Sequence, residues 1–450
     1  MSTSARNWLI FFGAIILTIA VVGLLVSIFE HKQEAKLTFN RLTEIAPGEP
    51  NSDLWKANFP REYDGYIKTM KTSELAQYSK WGRYGGSEAF SRLDKYPDLT
   101  RLYAGYPFSV EYNEERGHMH ALADMLKVKR LGDKKPGPCM TCKSPQVPQF
   151  IEKYGANRFY NTPVKTMVDS CGFTHTIGCA DCHDAETMDL KIRRPAFLEA
   201  MAARGIDVSK ASRQQMRTYV CAQCHVEYYW QKKDLYLTFP WAKGTLIDSV
   251  EAYYDSLNFA DWEHGETKAP MIKVQHPEFE LYSSGVHARA GVACADCHMP
   301  YQREGALKVT DHWVRTPLVN ISNACLTCHR ESEQELRDRV IEIQDRTYSQ
   351  LTRAENAIVA AIDGIKAAMA AGATDDELKP ARALHRKAQI RWDFISSENS
   401  MGFHSPQEAV RMLGDAIDYA RQAELVAYKI VIQHGGKLEA AAAAPVKKAG

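Results

Sequence analysis

Ten of the eleven cysteines in this chain form five C-x-x-C pairs, and the residue after each pair divides them into two kinds. Four pairs precede a histidine, in "CADCH", "CAQCH", "CADCH" and "CLTCH", whereas the first, "CMTCK", precedes Lys143. The paired cysteines are Cys139, Cys142, Cys179, Cys182, Cys221, Cys224, Cys294, Cys297, Cys325 and Cys328. Cysteine pairs alone are compatible with structural zinc or disulfides. Neither explains a histidine fixed after the second cysteine four times.

C-x-x-C-H is the attachment signature of c-type haem, in which both thiols bond to the porphyrin and the adjoining imidazole binds the iron. The four repeats therefore predict iron ligands at His183, His225, His298 and His329. A low-spin electron carrier has a second axial ligand, so four further histidines are expected elsewhere. Because haem is attached in this way outside the bacterial cytoplasm, the body of the chain is expected beyond the membrane.

Lys143 marks the first pair as different. An amine binds iron only after losing a proton, and free lysine has a pKa of about 10.4, so this ligand is an unusual choice for simple electron transfer. An iron with one unusual ligand and an open opposite face could bind a substrate. For a small anion, cations and proton donors are expected around that face. The alternative is that "CMTCK" is a structural pair without haem.

The N-terminus is apolar, because no charged residue occurs between Trp8 and Phe29. As a helix this segment would reach roughly 33 Å, enough for a bilayer core of roughly 30 Å. No small-residue cleavage site follows it, which favours an uncleaved membrane anchor over a cleaved signal peptide. A formal net charge of +1, with no long basic block, excludes nucleic acid as an expected partner.

Beyond the last pair the pattern becomes helical. The apolar residues that recur at helical spacing are Leu336, Val340, Ile343, Leu351, Ile358, Ile362, Ile365 and Met369. Gly372 ends this run, a capping box at Thr374 begins a second helix, and Pro406 begins a third that ends near Gly435. We therefore expect a mainly α multihaem cytochrome c fold with little β-structure. Its expected parts are an anchor or uncleaved signal (1–34), a pentahaem catalytic body (35–335), a long-helix region (336–436) and a flexible tail (437–450).

Further stretches carry a family resemblance: "RLYAGYPFSVEYNEERGHMHA", "CAQCHVEYYW", "KVQHPEFELYSSGVHA", "TDHWV" and "RWDF". With one C-x-x-C-K followed by four C-x-x-C-H motifs, the chain resembles the pentahaem, ammonia-forming cytochrome c nitrite reductase family. The resemblance implies that Lys143 binds the active haem iron and that Arg130, Tyr228 and His276 are catalytic. Other basic residues that could replace Arg130 in this role are Lys127, Lys129 and Arg116.

The resemblance also implies metal ligands. A calcium ion would be held by the Glu227 carboxylate, the Gln275 amide oxygen and the carbonyls of Tyr228 and Lys273, all hard oxygens of the kind calcium prefers. The second iron ligands would be His312, His118, His404 and His287 for the second to fifth haems in that order. The remaining histidines, at 31, 120, 175, 264, 385 and 434, are then structural or surface residues. Cys171, which lies outside the pairs, is predicted to be a small buried thiol.

The implied reaction is the six-electron reduction of nitrite to ammonium, with five covalently bound haem c groups and calcium as cofactors. The resemblance further implies a homodimer formed through the long helices and a membrane-bound multihaem quinol dehydrogenase as electron donor. The enzyme would sit on the periplasmic side of the bacterial cytoplasmic membrane, anchored by its N-terminus. The alternatives are a non-catalytic multihaem electron-transfer cytochrome, or an enzyme of the same fold that acts mainly on hydroxylamine or sulfite.

Overall fold

The computed structural model describes residues 2–34, 41–71, 89–305 and 307–437. The predicted tail beyond Lys437, residues 35–40 of the predicted body and the side chain of His31 lie outside the described residues. The α-helices are α1 Thr3–Glu34, α2 Pro60–Ile67, α3 Arg92–Lys95, α4 Leu99–Leu102, α5 Ala121–Lys127, α6 Val147–Tyr154, α7 Ala156–Asn161, α8 Val164–Cys171, α9 Cys179–Cys182, α10 Pro195–Ala203, α11 Arg213–Ala222, α12 Ile247–Ser256, α13 Glu278–Ser283, α14 Val286–Arg289, α15 Cys294–His298, α16 Ile321–Ala324, α17 Glu333–Ala370, α18 Asp375–Ser397 and α19 Pro406–Gln433.

The β-structure is limited to three antiparallel hairpins in the described residues. Their strands are β1 Tyr229–Trp230, β2 Leu237–Thr238, β3 Trp262–Glu263, β4 Pro270–Met271, β5 Tyr301–Glu304 and β6 Leu307–Thr310. Each strand pairs with its hairpin partner next along the chain, β1 with β2, β3 with β4 and β5 with β6. Single turns of 3-10 helix connect the body at Ser52–Trp55, Lys68–Met70, Pro107–Ser109, His118–His120, Gly132–Lys134, Gly137–Met140, Val208–Lys210 and Pro317–Val319. The prediction of a mainly α fold with little β-structure is confirmed.

Helices α17, α18 and α19 form the C-terminal bundle. Capping boxes begin the first two, because the side chains of Ser332 and Thr374 accept hydrogen bonds from the backbone N–H groups of Glu335 and Glu377. Pro406 stands in the first turn of α19, where its missing N–H costs nothing. The predicted long C-terminal helices are therefore confirmed.

The bundle core is built of aliphatic and aromatic side chains and extends into the body. Fully buried members include Leu351, Ile358, Ile362, Trp392, Ile395 and Leu413. They belong to the same apolar cluster as Tyr103, Trp262, Met271 and Val274 of the body. The bundle thus packs directly against the segment Lys273–His276, which becomes important for the site.

A second apolar cluster lies around the first cysteine pair. It contains Met140, Val147, Phe159, Phe197 and Trp241. Cys171 is not part of it: the prediction of a buried thiol is wrong, because this cysteine is exposed. Helix α8 ends there, Gly172 takes a left-handed φ of 74° that reverses the chain, and Phe173, 2% exposed, occupies the core position instead.

Helix α1 is apolar and exposed from Trp8 to Phe29. An 18-residue window of the span Thr3–Glu30 has a mean hydropathy of 3.0, and none of that window is buried. It is the one helix among the described residues that is long and apolar enough to cross a membrane. Such a helix fits either an anchor or a signal sequence.

Candidate haem cavity and active site

Most of the cysteine pairs lie on or beside a short helical turn, which brings residues i and i+3 to one face. The second and fourth pairs form the helices α9 and α15, and the third includes the end of α11. In both "CADCH" motifs the aspartate fixes the start of the turn: Asp181 accepts from the backbone N–H of Gly178, and Asp296 from that of Ala293, each at 2.8 Å. The same carboxylates are ion-paired to buried arginines, Asp181 to Arg194 at 2.6 Å and Asp296 to Arg217 at 3.0 Å. These four residues hold both motifs rigidly.

All five pairs line one continuous cavity of about 2540 Å³. Single small-molecule sites measure about 300–1,000 Å³, so this cavity has room for several large groups. Its walls carry the ten paired cysteines, Lys143 and the four motif histidines. The predicted second-ligand histidines His118, His287, His312 and His404 line it as well.

These eight histidines face one another in four pairs. Ring centroids are 6.2 Å apart for His183 and His312 and for His118 and His225, and 6.3 Å for His298 and His404 and for His287 and His329. Because a metal–imidazole bond is about 2 Å, two rings on opposite sides of one metal ion have centroids about 6 Å apart. The pairs therefore fit an iron between them, and they are the four combinations that the resemblance implied.

Hydrogen bonds to backbone carbonyls or facing carboxylates orient the rings at their Nδ1 atoms. Nδ1 of His183, His298 and His312 lies 2.9, 2.9 and 2.8 Å from the backbone carbonyls of Met188, Arg315 and Thr310. In three other rings Nδ1 faces a carboxylate: Glu278 for His225 and Glu331 for His329, each at 3.7 Å, and Glu398 for His404 at 2.5 Å. An Nδ1 engaged in this way leaves Nε2 free for a metal, as in metal-bound histidines generally.

Close backbone approach brings two of the ring-bearing segments together. A Cβ on Gly285 would collide with the carbonyl oxygen of His404, so only glycine fits there. This contact sets the turn that leads into α14, which carries His287, directly against the segment just before α19. One glycine thus fixes the relative positions of two predicted ligands that lie far apart in sequence.

Within the described residues, no histidine ring faces the first pair in this way. Lys143 instead lines the cavity near His276, and Tyr228 and Arg130 lie near Cys139. Among the described residues, Nζ of Lys143 has no hydrogen-bond or ion-pair partner. Burial raises the pKa of Tyr228 well above its ordinary value, so the phenol stays protonated and can donate a hydrogen bond. Burial lowers the pKa of His276, although the neighbouring Glu115 and Glu278 oppose that shift.

Glu115 was not predicted as a site residue, and it lies in this group. Its carboxylate is 3.3 Å from Nε2 of His276. Its side chain is 49% exposed where it borders the cavity; partial enclosure disfavours its ionisation, but the positive charges around it, with His276 and Lys143 first, together lower its pKa to about 2. Glu115 directly precedes the "RGH" stretch that carries His118, and this position was the one feature of the sequence that could have indicated a role in the site. The sequence could not show that Glu115 reaches His276, because the two lie in distant parts of the chain.

Arg130 is held by its backbone as well as its side chain. Its N–H donates to Glu111 Oε2 at 2.7 Å, and its guanidinium lies over the ring of Phe108, 4.1 Å from the centroid. Arg116, one of the predicted alternatives, is ion-paired with Asp124. Lys127 also lines the cavity, whereas Lys129 is not among the lining residues.

The predicted calcium ligands converge beside Tyr228. The Glu227 carboxylate is fully buried and accepts from the backbone N–H of Gln275 at 2.6 Å and from the Tyr254 hydroxyl at 2.8 Å. The Gln275 amide nitrogen donates to the carbonyl oxygen of Lys273 at 2.9 Å, so rotation of the amide by 180° would bring Oε1 beside that carbonyl oxygen for a cation. Burial raises the pKa of Glu227 well above its ordinary value, and the nearby Glu280 and Asp261 add to the effect.

This donor set fits a hard cation. A buried carboxylate with raised pKa gains most from a divalent ion placed beside it, and the neighbouring donors are oxygens. Nowhere in the described residues do three His, Cys, Asp or Glu side chains converge on one point. A cation at Glu227 would therefore depend on the carbonyl and amide oxygens for most of its coordination.

Cysteines of different pairs are neighbours, which shows how the motifs are arranged. Cys142 lies beside Cys224, and Cys221 lies beside Cys294. The third motif therefore lies between the first and the fourth.

The histidines left out of the site have ordinary surroundings. His264 and His385 are fully buried with centroids 5.0 Å apart and are hydrogen-bonded to Arg101 O, Thr267 and Gln389. His434 lies 3.1 Å from Glu377, and His120 lies 3.2 Å from the carbonyl of Met70.

The mainly α fold, the cavity and its facing histidines define a multihaem c-type cytochrome. The chain belongs to the cytochrome c552 family, whose sequence model matches residues 51–449. Relatives named cytochrome c-552 include those of Porphyromonas gingivalis (40% identical over 96% of this chain and 87% of the relative) and Bacteroides fragilis (43%, 96% and 88%). A third is that of Aliarcobacter butzleri (36%, 96% and 87%).

A solved structure has the same fold. It is the catalytic subunit of the cytochrome c nitrite reductase from Desulfovibrio desulfuricans ATCC 27774, described as having two calcium sites. It matches with a TM-score of 0.80 and 33% identity, over 88% of this chain and 90% of that one. The resemblance to the cytochrome c nitrite reductase family is thereby confirmed.

Proposed function

We propose that this chain reduces nitrite to ammonium at the haem held by Cys139, Cys142 and Lys143. The observation that carries the proposal is the asymmetry of the cavity: four motifs face a second histidine at 6.2–6.3 Å, whereas the first has Tyr228, Arg130 and His276 as charged or proton-donating neighbours. Family and fold support it, because the similar solved structure is a nitrite reductase.

Five haem c groups would be held by the ten paired cysteines. The facing pairs His183 and His312, His118 and His225, His298 and His404, and His287 and His329 would bind four irons, and Lys143 the fifth. Bound haem supplies the redox chemistry, namely an iron that takes the substrate and a chain of irons that delivers six electrons.

The side chains handle protons and charge. Nitrite takes up six electrons and eight protons to give ammonium and two waters, so proton supply must keep pace with electron supply. His276 and the protonated Tyr228 donate hydrogen bonds and protons at the open face. Arg130 provides a fixed positive charge for the substrate oxygens, and its stacking on Phe108 restricts its orientation.

A calcium ion at Glu227, Gln275 and the carbonyls of Tyr228 and Lys273 would neutralise the buried carboxylate. Glu227 directly precedes Tyr228, and Gln275 directly precedes His276. The ion would therefore fix both proton donors through adjacent backbone and add to the positive field that attracts an anion. The calcium sites of the similar solved structure support this assignment.

The remaining parts of the proposal concern assembly. Helix α1 would hold the enzyme at the periplasmic side of the cytoplasmic membrane, and a membrane-bound multihaem quinol dehydrogenase would supply electrons. The long helices would form the interface of a homodimer. Purification from detergent tests both parts. If no haem-containing protein co-purifies with the chain, the proposed electron donor is contradicted, and if the purified chain has a monomeric mass, the proposed homodimer is contradicted.

The decisive experiment is ammonium production from nitrite by the haem-loaded protein, driven by a reduced low-potential dye. We expect stoichiometric ammonium from the wild-type protein, none from Lys143→Ala, and an unchanged yield from the control Lys165→Ala, whose exposed amine is paired with Asp169 outside the cavity. Hydroxylamine and sulfite are assayed in parallel to rank substrates. If fully loaded wild-type protein consumes no nitrite, an electron carrier is the better interpretation.

A further inference from the structure

A buried ion pair joins the C-terminal bundle to the segment that carries the site. Nζ of Lys273 lies 2.9 and 3.1 Å from the two carboxylate oxygens of Asp393 in α18, and it donates to Ser397 Oγ at 2.8 Å. The side chains of Lys273 and Asp393 are 2% and 0% exposed. Neither charge reaches solvent, so each depends on the other.

The same carboxylate also accepts a hydrogen bond from the backbone of that segment. Asp393 Oδ2 accepts from the N–H of Val274 at 2.9 Å, and Asp261 accepts from the N–H of Lys273 at 2.8 Å. Ser397 Oγ donates to the carbonyl of Val274 at 3.1 Å. Two successive peptide units are thus fixed by side chains from the bundle and from the loop before β3.

The proposed calcium and proton-donor site begins within this segment and continues directly after it. The carbonyl of Lys273, the amide of Gln275 and the imidazole of His276 all belong to the same four-residue stretch, and Gln275 donates its N–H to Glu227. A shift of Lys273 and Val274 would therefore move two of the calcium oxygens and His276 together.

Asp393 is connected to the arginine side of the site as well. Its Oδ1 accepts from the hydroxyl of Tyr103 at 2.5 Å. Nζ of Lys273 lies 5.4 Å from the centroid of Phe108, the ring on which Arg130 stacks. One carboxylate in the bundle thus touches groups that support both halves of the site.

Stability alone does not explain such a pair, because well-packed apolar residues in place of a buried ion pair are often neutral or stabilising. We propose that Asp393 is a positioning residue, which sets the place of the Lys273 carbonyl, Gln275 and His276 through Lys273 and the Val274 N–H. The inference rests on the proposed function, since it concerns the calcium oxygens of that site.

The test is the calcium affinity of the haem-loaded protein, measured by chelator competition with calcium alone as the probe. Asp393→Asn keeps the shape of the side chain and removes its charge. We expect calcium to bind about tenfold to a hundredfold more weakly, as is typical when an outer-shell partner of a metal ligand is lost. The matched control is Glu251→Gln, which breaks another buried ion pair of α18, between Glu251 and Arg391 at 3.0 Å. It should lower thermal stability and leave calcium affinity unchanged.

A second variant keeps the test valid if Asp393→Asn does not fold. Lys273→Met together with Asp393→Asn removes both charges and leaves no buried charge of this pair without its partner, so we expect it to load haem and still bind calcium weakly. Calcium affinity within twofold of wild type in either loaded variant overturns the positioning role. Nitrite turnover separates the two proposals. If the wild-type protein binds calcium and reduces nitrite but the variants bind calcium normally, only this inference is contradicted. Wild-type protein that binds no calcium overturns the calcium site and this inference with it, whereas ammonium production tests the reductase independently.

Discussion

The haem-lined body and the C-terminal bundle are built around different kinds of core. In the bundle, α17, α18 and α19 bury Ile358, Ile362 and Leu413 against one another, and helix follows helix with short connections. In the body, short helices and turns surround a cavity of about 2540 Å³ whose walls are cysteines, histidines and charged groups. The bundle is stabilised by its own side chains, whereas the body is built to enclose something else.

The difference appears in what each region can do without cofactor. Apolar walls that enclose a bound group lose this burial when the group is missing, and the roughly 5–15 kcal/mol by which a domain is stable is a small margin for such a loss. We therefore expect the body to depend on its haems for folding. The far end of the bundle, where Ile365, Leu378 and Ile430 pack, has no such requirement.

The largest expected effect comes from this dependence on haem. In cells that lack the machinery for covalent haem attachment, we expect the body to lose protection from hydrogen exchange while α17 to α19 keep theirs beyond the cavity-lining end. Hydrogen-exchange mass spectrometry of the haem-free and loaded chains measures this. Full protection of the body in the haem-free chain would contradict the idea that haem is its core.

The same contrast governs what the sequence could predict. The bundle was predictable nearly to the residue, because Thr374 and Pro406 begin helices that obey local rules of capping and apolar spacing. The short helices of the body follow no such period, since their positions are set by the group they enclose. The motifs predicted the chemistry of the body instead.

Within the site, local motifs and distant contacts were predictable to different degrees. The cysteines and the histidines that follow them are local features, so their positions could be predicted without a fold. The contact of Glu115 with His276 and the hydrogen bond from the Val274 N–H to Asp393 depend on tertiary structure, so no local sequence motif predicts them. The exposure of Cys171 was mispredicted for a similar reason, because a turn at Gly172 decides it.

Ile365→Ala should destabilise the bundle and spare the body. Ile365 is fully buried in α17 within the cluster at the far end of the bundle, and truncating such a residue costs about 2–5 kcal/mol through lost burial and the cavity left behind. Denaturant unfolding followed by helical circular dichroism measures the loss, and the haem spectrum should not change in native buffer. The control Leu425→Ala, at a side chain 59% exposed on α19, should change stability by less than about 0.5 kcal/mol. A haem spectrum that changes with Ile365→Ala would show that the regions are not independent.

The junction between the two regions should be sensitive to acid. Burial lowers the pKa of His385 to about 3, and it lowers that of His264 as well. The imidazole of the unfolded chain has a pKa of about 6.5, so between about pH 6.5 and about 3 it is protonated in the unfolded state and neutral in the folded state. Stability from this group is therefore complete above about pH 6.5 and is lost as the pH falls towards about 3, by up to about 1.4 kcal/mol per pH unit. His385→Gln should flatten that part of a plot of unfolding free energy against pH. An identical slope in both proteins would rule out this histidine as the cause.

The smallest effect should come from a single cap at the start of α18. The Thr374 side chain accepts from the backbone N–H of Glu377, and loss of such a cap costs about 0.5–2 kcal/mol. Thr374→Ala should lower the unfolding free energy by about 1 kcal/mol, whereas Thr374→Ser, which keeps the hydroxyl, should stay near wild type. The cap lies at the end of α18 far in sequence from Asp393, so calcium affinity and nitrite turnover should be equal in all three proteins. A fall in calcium affinity for Thr374→Ala would mean that α18 transmits a fraying of its first turn to the site, and the bundle would then be part of the active centre along its whole length.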